Sequence, residues 1–300
     1  MTEDICDKFI GPMPILKFFS DFVPQASQAR ETNEISFAET SISQCEDQFA
    51  IQLSGLAPDL TFVNTSAKQD KQSRLRPDIA IYWNKNAHSK VTQENKKLEW
   101  SVVDVWIKNK NRNQDIFCTL AETNPPEDES DLGCPIRSSH RASHICGQLI
   151  SYSLVLHQKQ SCVFSFAIIL FGETGRLLQW DHSGAIYTEL FNWAKDPNTL
   201  FKFIWRLNSL TFAQHGYGTT VTSVLENDEG ILINDDHATD GQLKPYITWK
   251  PIWETKTLFG QSTFRYICHD IEQNELVYLK DYWHTDFPGI EKEGDIYHDL

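Results

Sequence analysis

Arg76-Pro77-Asp78-Ile79-Ala80-Ile81-Tyr82 and Val103-Asp104-Val105-Trp106-Ile107-Lys108 are the segments that decide the fold class. Both are short, apolar and rich in β-branched or aromatic residues, which predicts strands over residues 78–83 and 100–107. Side chains alternate along a strand, so Asp104, Trp106 and Lys108 are expected on one face.

Working outward, residues 143–158 read as a helix, and residues 162–170 and 177–181 as strands. That order is α/β. Between the second strand and the helix, Asn124-Pro125-Pro126-Glu127-Asp128-Glu129 marks a loop. Asp181-His182-Ser183-Gly184-Ala185 reads as a turn, and residues 187–193 and 198–207 as helical, with Asp196-Pro197-Asn198 as the start signal of the second. Toward the N-terminus, residues 14–23 form a short amphipathic segment and residues 39–53 a helix. The acidic, turn-rich residues 226–243 are the candidate linker. The expected organisation is an N-terminal segment, 1–65, an α/β domain, 66–225, an acidic linker or loop, 226–245, and a smaller unit, 246–300.

That smaller unit has its own pattern. Leu258-Phe259-Gly260-Gln261-Ser262-Thr263-Phe264 is a glycine turn, Leu276-Val277-Tyr278-Leu279-Lys280 a strand ending in lysine, and Glu291-Lys292-Glu293-Gly294-Asp295-Ile296-Tyr297 an acidic helix.

The chain has 300 residues, of which 40% are hydrophobic and 12% aromatic, enough for packed cores. A net charge of −14 argues against a broad basic footprint for nucleic acid, which depends on lysine and arginine neutralising phosphates. The seven cysteines are scattered, with no Cys-x-x-Cys pair, so reduced thiols in a cytoplasmic or nuclear setting are expected. The N-terminus is acidic where a signal peptide is basic, and no apolar run approaches the ~18 residues of a membrane helix.

Three local patterns carry plainer readings. Asp181, His182 and Ser183 are adjacent in sequence, whereas triad members hydrogen-bond in series, so Asp181 is read as a turn former. His140 and His144 have helical spacing but no further ligand to complete a zinc site. The tryptophans, among them Trp100, Trp106, Trp180, Trp193 and Trp205, are expected core or interface anchors.

The two opening strands resemble the core of the PD-(D/E)xK nucleases. That resemblance implies an aspartate at one strand start and an acid two residues before a lysine on the next strand, converging on a metal ion. It makes Asp78, Asp104 and Lys108 the candidate catalytic residues, with Asp78 and Asp104 as metal ligands and nucleic acid as substrate. Gln148 would support them from the helix. Trp106 stands where the acid belongs and cannot ligate magnesium. Asp104 lies roughly 6–7 Å farther along the strand.

The whole series resembles the fungal-type protein kinase domain family over about residues 70 to 300. The residues that carry the resemblance are Arg76-Pro77-Asp78, Lys108, Gly147-Gln148 with Tyr152, the run from Gly175 to Ala185 centred on Trp180-Asp181-His182-Ser183-Gly184, Asn198-Thr199-Leu200-Phe201-Lys202-Phe203, and Gly216-Tyr217-Gly218-Thr219-Thr220. In the family the central motif usually reads Trp-Asp-Arg-Ser-Gly; His182 replaces the arginine. The resemblance implies a PD-(D/E)xK nuclease-like α/β core followed by a partial protein-kinase small lobe of β-strands plus one helix. It implies ATP with Mg as cofactor, Gly260 in the nucleotide-covering turn, Lys280 on the phosphates, and Glu293 as the helix partner of that lysine. The family's catalytic-loop and metal-binding segments would follow Leu300. The expectation is therefore a chain inactive as a phosphotransferase, acting as a binding or regulatory module on a protein partner or a full-length relative.

Overall fold

The computed structural model describes residues 3–25, 46–67, 69–70, 72–87, 98–118, 135–223, 231–235 and 244–283. The chain divides into two compact units, Met1–Gly218 and Thr219–Leu300.

The first unit runs α1 (Glu3–Cys6), β1 (Phe9–Met13), α2 (Ile15–Phe22), α3 (Glu46–Ser54), β2 (Leu60–Asn64), β3 (Ile79–Trp83), α4 (Asn84–Ala87), β4 (Val105–Lys110), α5 (His140–Lys159), β5 (Phe164–Phe171), β6 (Thr174–Asp181), β7 (Ala185–Thr188), β8 (Phe191–Asn192) and α6 (Asn198–Asn208). Its strands form one mixed sheet in the order β1-β7-β6-β5-β4-β3-β2, with β8 paired to the start of β6. Only β4/β5 and β1/β7 are parallel pairs on this path. The β4/β5 pair needs a crossover, and α5 supplies it.

The sheet is covered on both faces, which explains why its central strands are apolar at nearly every position. One face carries Ile79, Ile81, Val105, Ile107, Phe166, Ile168 and Leu177. It packs on Phe18 and Phe19 of α2, Phe49 and Leu53 of α3, and Leu200, Phe203 and Ile204 of α6. The alternate residues of β4 turn to α5, where Trp106 packs on Tyr152 with ring centroids 5.1 Å apart. Each such aromatic contributes about 1.5–3 kcal/mol by leaving water.

Helix α5 starts where Ser139 caps it, its hydroxyl accepting from the Ala142 amide. At its far end Gln160 donates to the carbonyls of Trp100 and Val103, tying the helix end to the approach to β4.

The second unit contains β9 (Val221–Ser223), β10 (Ile231–Asp235), β11 (Lys244–Thr248), β12 (Phe264–Asp270) and β13 (Glu275–Asp281), antiparallel throughout in the order β13-β12-β11-β10-β9. Ile233, Tyr266 and Cys268 form its small core, with Tyr246, Phe264, Val277 and Leu279 packed against them.

Several expectations are corrected. The helix expected over 187–193 is absent: residues 185–188 and 191–192 are strands β7 and β8, β7 pairing on both sides with β1 and β6 and β8 with β6. The strand expected over 100–107 begins only at Val105 and runs to Lys110. Within the acidic stretch 226–243, residues 231–235 are strand β10, and the rest lies outside the described residues. Helix α3 covers the second half of the segment expected over 39–53, whose first part, 39–45, is outside the described residues. Cys6 is disulfide-bonded, against the expectation of reduced thiols, while Cys146, Cys162 and Cys268 are thiols. A disulfide requires two Cα atoms within ~7 Å and Cβ atoms that point at each other, which spacing along the chain does not report. Among the described residues no helix is long and apolar enough to cross a membrane.

Candidate functional site

The expected nuclease-like residues fall at opposite ends of one ladder. In the β3–β4 register Ile79 faces Ile107 and Ile81 faces Val105, so Asp78 lies across from Lys108 while Asp104 lies across from Tyr82. Four steps along the strand separate the two positions, about 13 Å.

At the first end, Lys108 Nζ donates to Asp78 Oδ1 at 2.9 Å and to the Arg76 carbonyl at 3.1 Å. The second carboxylate oxygen, Oδ2, accepts the Asn109 amide at 2.6 Å. Tyr152 on α5 donates to the same Arg76 carbonyl at 2.8 Å. Beside them Lys110 Nζ donates to Gln148 Oε1 at 2.6 Å. Burial holds the Lys110 ammonium below its usual pKa, helped by the charges of Lys108 and Arg141 and opposed by Asp78. Sequence reasoning brought Asp78, Lys108 and Gln148 to this place and missed Lys110 and the role of Tyr152. The pairing of Gly147-Gln148 with Tyr152 at helical spacing was the available signal.

The approach to Asp78 is a built turn. Asp70 accepts from the Ser73 amide and hydroxyl and from the Gln72 amide. Burial alone would raise its pKa, but the Ser73 and Gln72 hydrogen bonds hold it below the usual carboxylate value. The turn puts Arg74 in a left-handed conformation, φ 59°, and Gln69 donates to the Arg74 carbonyl. Arg74 and Arg76 are exposed, and a cavity of about 260 Å³ opens between this turn, Lys108, Gln148 and Tyr152.

At the other end of the ladder Asp104 belongs to a buried cluster. It receives His215 Nδ1 at 2.9 Å and the Tyr217 hydroxyl at 3.0 Å, and His215 stacks on Trp83 with ring centroids 4.2 Å apart. Gly216 makes this possible: it is left-handed, φ 94°, and a Cβ there would collide with the Phe164 carbonyl. The Gly216-Tyr217-Gly218 run therefore positions the partners of Asp104. Among the described residues no group of three or more His, Cys, Asp or Glu is arranged to hold a metal ion.

The central motif is likewise structural. Asp181 Oδ1 accepts the amides of Ser183 and Gly184, closing the β6–β7 turn, and Gly184 sits against the Lys8 carbonyl, which accepts the Ala185 amide. His182 is buried, edge-on to His157. His140 and His144 lie on the first turns of α5.

In the second unit, Lys280 of β13 pairs in register with Arg265 of β12, one step from the Phe264–Asp281 pair at the start of β12. The glycine turn leads into that same end, where the Trp283 amide donates to the Gln261 carbonyl at 2.7 Å. Gly260 is left-handed, φ 103°, with open space where a Cβ would stand. Lys280 Nζ lies over the Tyr282 ring, 5.0 Å from its centroid. Glu293 and the acidic helix expected around it lie outside the described residues.

Comparison with known proteins finds no curated protein and no solved structure that matches. A comparison with family models matches residues 137–298 to the family described as Fungal protein kinase. That match covers α5 through β13 and so takes in the Asp181 turn, the Gly216 corner, Gly260 and Lys280, residues whose local geometry has a physical reason in each case. On this match over more than half its length, the chain belongs to the fungal protein kinase family.

Proposed function

We propose that residues 246–300 are the opening of a kinase small lobe that binds ATP, and that the chain acts as a binding or regulatory module toward a protein partner rather than as a phosphotransferase. The observation that supports nucleotide binding is the convergence of the Gly260 turn and Lys280 at one end of the β12–β13 hairpin. A lysine there would meet the phosphates as a point charge, and a glycine without a close neighbour lets the turn approach them. Glu293, which lies outside the described residues, is the residue that by the family resemblance would hold Lys280 in place. Bound Mg·ATP would supply the phosphates that Lys280 pairs with.

Titration with a fluorescent ATP analogue tests this reading. Saturable binding, weakened about tenfold or more by Lys280→Ala, is expected, since a charge-assisted contact contributes about 1.5–3 kcal/mol. Equal binding by parent and variant would sink the nucleotide site. Transfer of labelled phosphate that disappears in Lys280→Ala would sink the non-transferring role.

A second reading is a metal-dependent nuclease with a PD-(D/E)xK-like core using Asp78, Asp104 and Lys108 on nucleic acid. It is favoured by the contact between Asp78 and Lys108. Against it stand Trp106 in the acid position and the engagement of both Asp78 oxygens by the protein. Magnesium-dependent DNA cleavage lost in Asp78→Ala would support this reading, and no cleavage by the parent would remove it.

A further inference from the structure

We propose that the cavity beneath the Arg74–Arg76 turn is a metal-free binding site for a small phosphate-bearing molecule. The proposal concerns the first unit and does not depend on the nucleotide reading of residues 246–300.

Charge is the first argument. Arg74, Arg76 and Lys108 border the cavity, with Lys110 beside it, and Asp78 is the carboxylate among these contacts. Asp78 is already matched, since Lys108 and the Asn109 amide occupy its two oxygens. Among the described residues neither the Arg74 nor the Arg76 side chain makes a hydrogen bond or ion pair. Guanidinium groups present planar, forked donors suited to phosphate oxygens, and two residues that carry them line one opening here. This positive cluster stands out in a chain whose net charge is −14.

Preorganisation is the second argument. The Asp70 turn fixes the backbone that carries both arginines, and Lys108 with Tyr152 pins the Arg76 carbonyl from below. Lys110 engages Gln148 Oε1, which leaves the Gln148 amide N–H groups to donate into the cavity that Gln148 lines. Burial, and after it the charge of Lys108, disfavours the Lys110 ammonium, and an arriving anion would offset both.

Size decides the ligand class. The cavity of about 260 Å³ is smaller than the ~300–1,000 Å³ of drug-sized sites. It suits a phosphate on a compact organic group. A long nucleic-acid strand would instead need a basic track, and the overall negative charge opposes one.

The test uses the full chain in EDTA, with inorganic phosphate as the first probe and a short oligothymidylate as the second, followed by calorimetry. Saturable phosphate binding is expected, weakened at least about tenfold by the exposed double substitution Arg74→Gln, Arg76→Gln and unchanged by Lys280→Ala. Phosphate binding insensitive to the arginine pair, binding lost only in Lys280→Ala, or none at about 10 mM probe would overturn the proposal. Oligothymidylate binding tighter than phosphate, and equally dependent on the two arginines, would overturn the small-molecule assignment in favour of nucleic acid. Circular dichroism of the double variant shows whether its fold is intact, and both substitutions are on exposed side chains.

Discussion

Asp104 and His215, 111 residues apart in sequence, meet 2.9 Å apart in the interior, and neither side chain is more than 1% exposed. The Tyr217 hydroxyl completes the arrangement by donating to the same carboxyl group. Asp104 thereby joins the start of β4 to the corner that precedes the second unit. Asp104→Ala would leave the His215 ring N–H and the Tyr217 hydroxyl buried without an acceptor. A loss of about 3 kcal/mol is expected, read as a lower urea midpoint with unchanged slope. A variant as stable as the parent would show that Asp104 is not a structural acceptor and reopen a functional role for it.

Arg176 is buried beside the stacked rings of Phe117 and Tyr187, with its guanidinium 5.3 and 5.4 Å from their centroids. Its partners are Asp115, at 2.8 Å from Nη2, and the Thr188 carbonyl, at 2.6 Å from Nη1. Asp115→Ala would strand a buried cation, with an expected cost of about 3–5 kcal/mol. Arg176→Met added to that variant should recover part of the loss, because an apolar side chain can fill the same space beside the stacked rings without a charge to bury. Failure of the second substitution to recover any stability would mean that Asp115 acts through other contacts.

What the sequence made legible follows the range of each interaction. Asp78 and Lys108 were brought together by the resemblance to the PD-(D/E)xK core, and the antiparallel β3–β4 register sets them opposite one another. Helix α5 was visible from its period, and Asp181 as a turn former from the Asp-x-Ser-Gly spacing, which its carboxylate uses to accept two amides. Asp104 was misplaced for two linked reasons. The strand begins only at Val105, so alternation does not yet govern Asp104, and its partner His215 carries no local signal. Residues 187–193 looked helical because their aromatic and apolar spacing fits either period, and only pairing with β1 and β6 decides for strands β7 and β8.

The Gly216 corner gives a backbone test. A left-handed alanine costs about 1–2 kcal/mol before any contact is counted, and a methyl group here would also press on the Phe164 carbonyl. Gly216→Ala is therefore expected to destabilise by at least about 2 kcal/mol and to expose Trp83, seen as a red-shifted tryptophan emission. Unchanged stability and emission would show that the corner tolerates a side chain and does not hold His215 against Trp83.

His157 sets an acid limit on the fold. It is buried on α5, with Nε2 3.0 Å from the Ser165 hydroxyl, and burial followed by the nearby His182 pushes its pKa from 6.5 down to about 3. Between those two values the unfolded chain binds the proton and the folded chain does not, so stability falls as pH drops through that window. The contribution lost between pH 6.5 and about 4.5 is on the order of 2 kcal/mol. Urea denaturation at a series of pH values should show that slope in the parent and a shallower one in His157→Gln, which has no imidazole to protonate. Because carboxylates elsewhere titrate in both proteins, the difference between the two slopes isolates His157. Superimposable slopes would mean that the ring is either already protonated in the folded state or equally hard to protonate in the unfolded one.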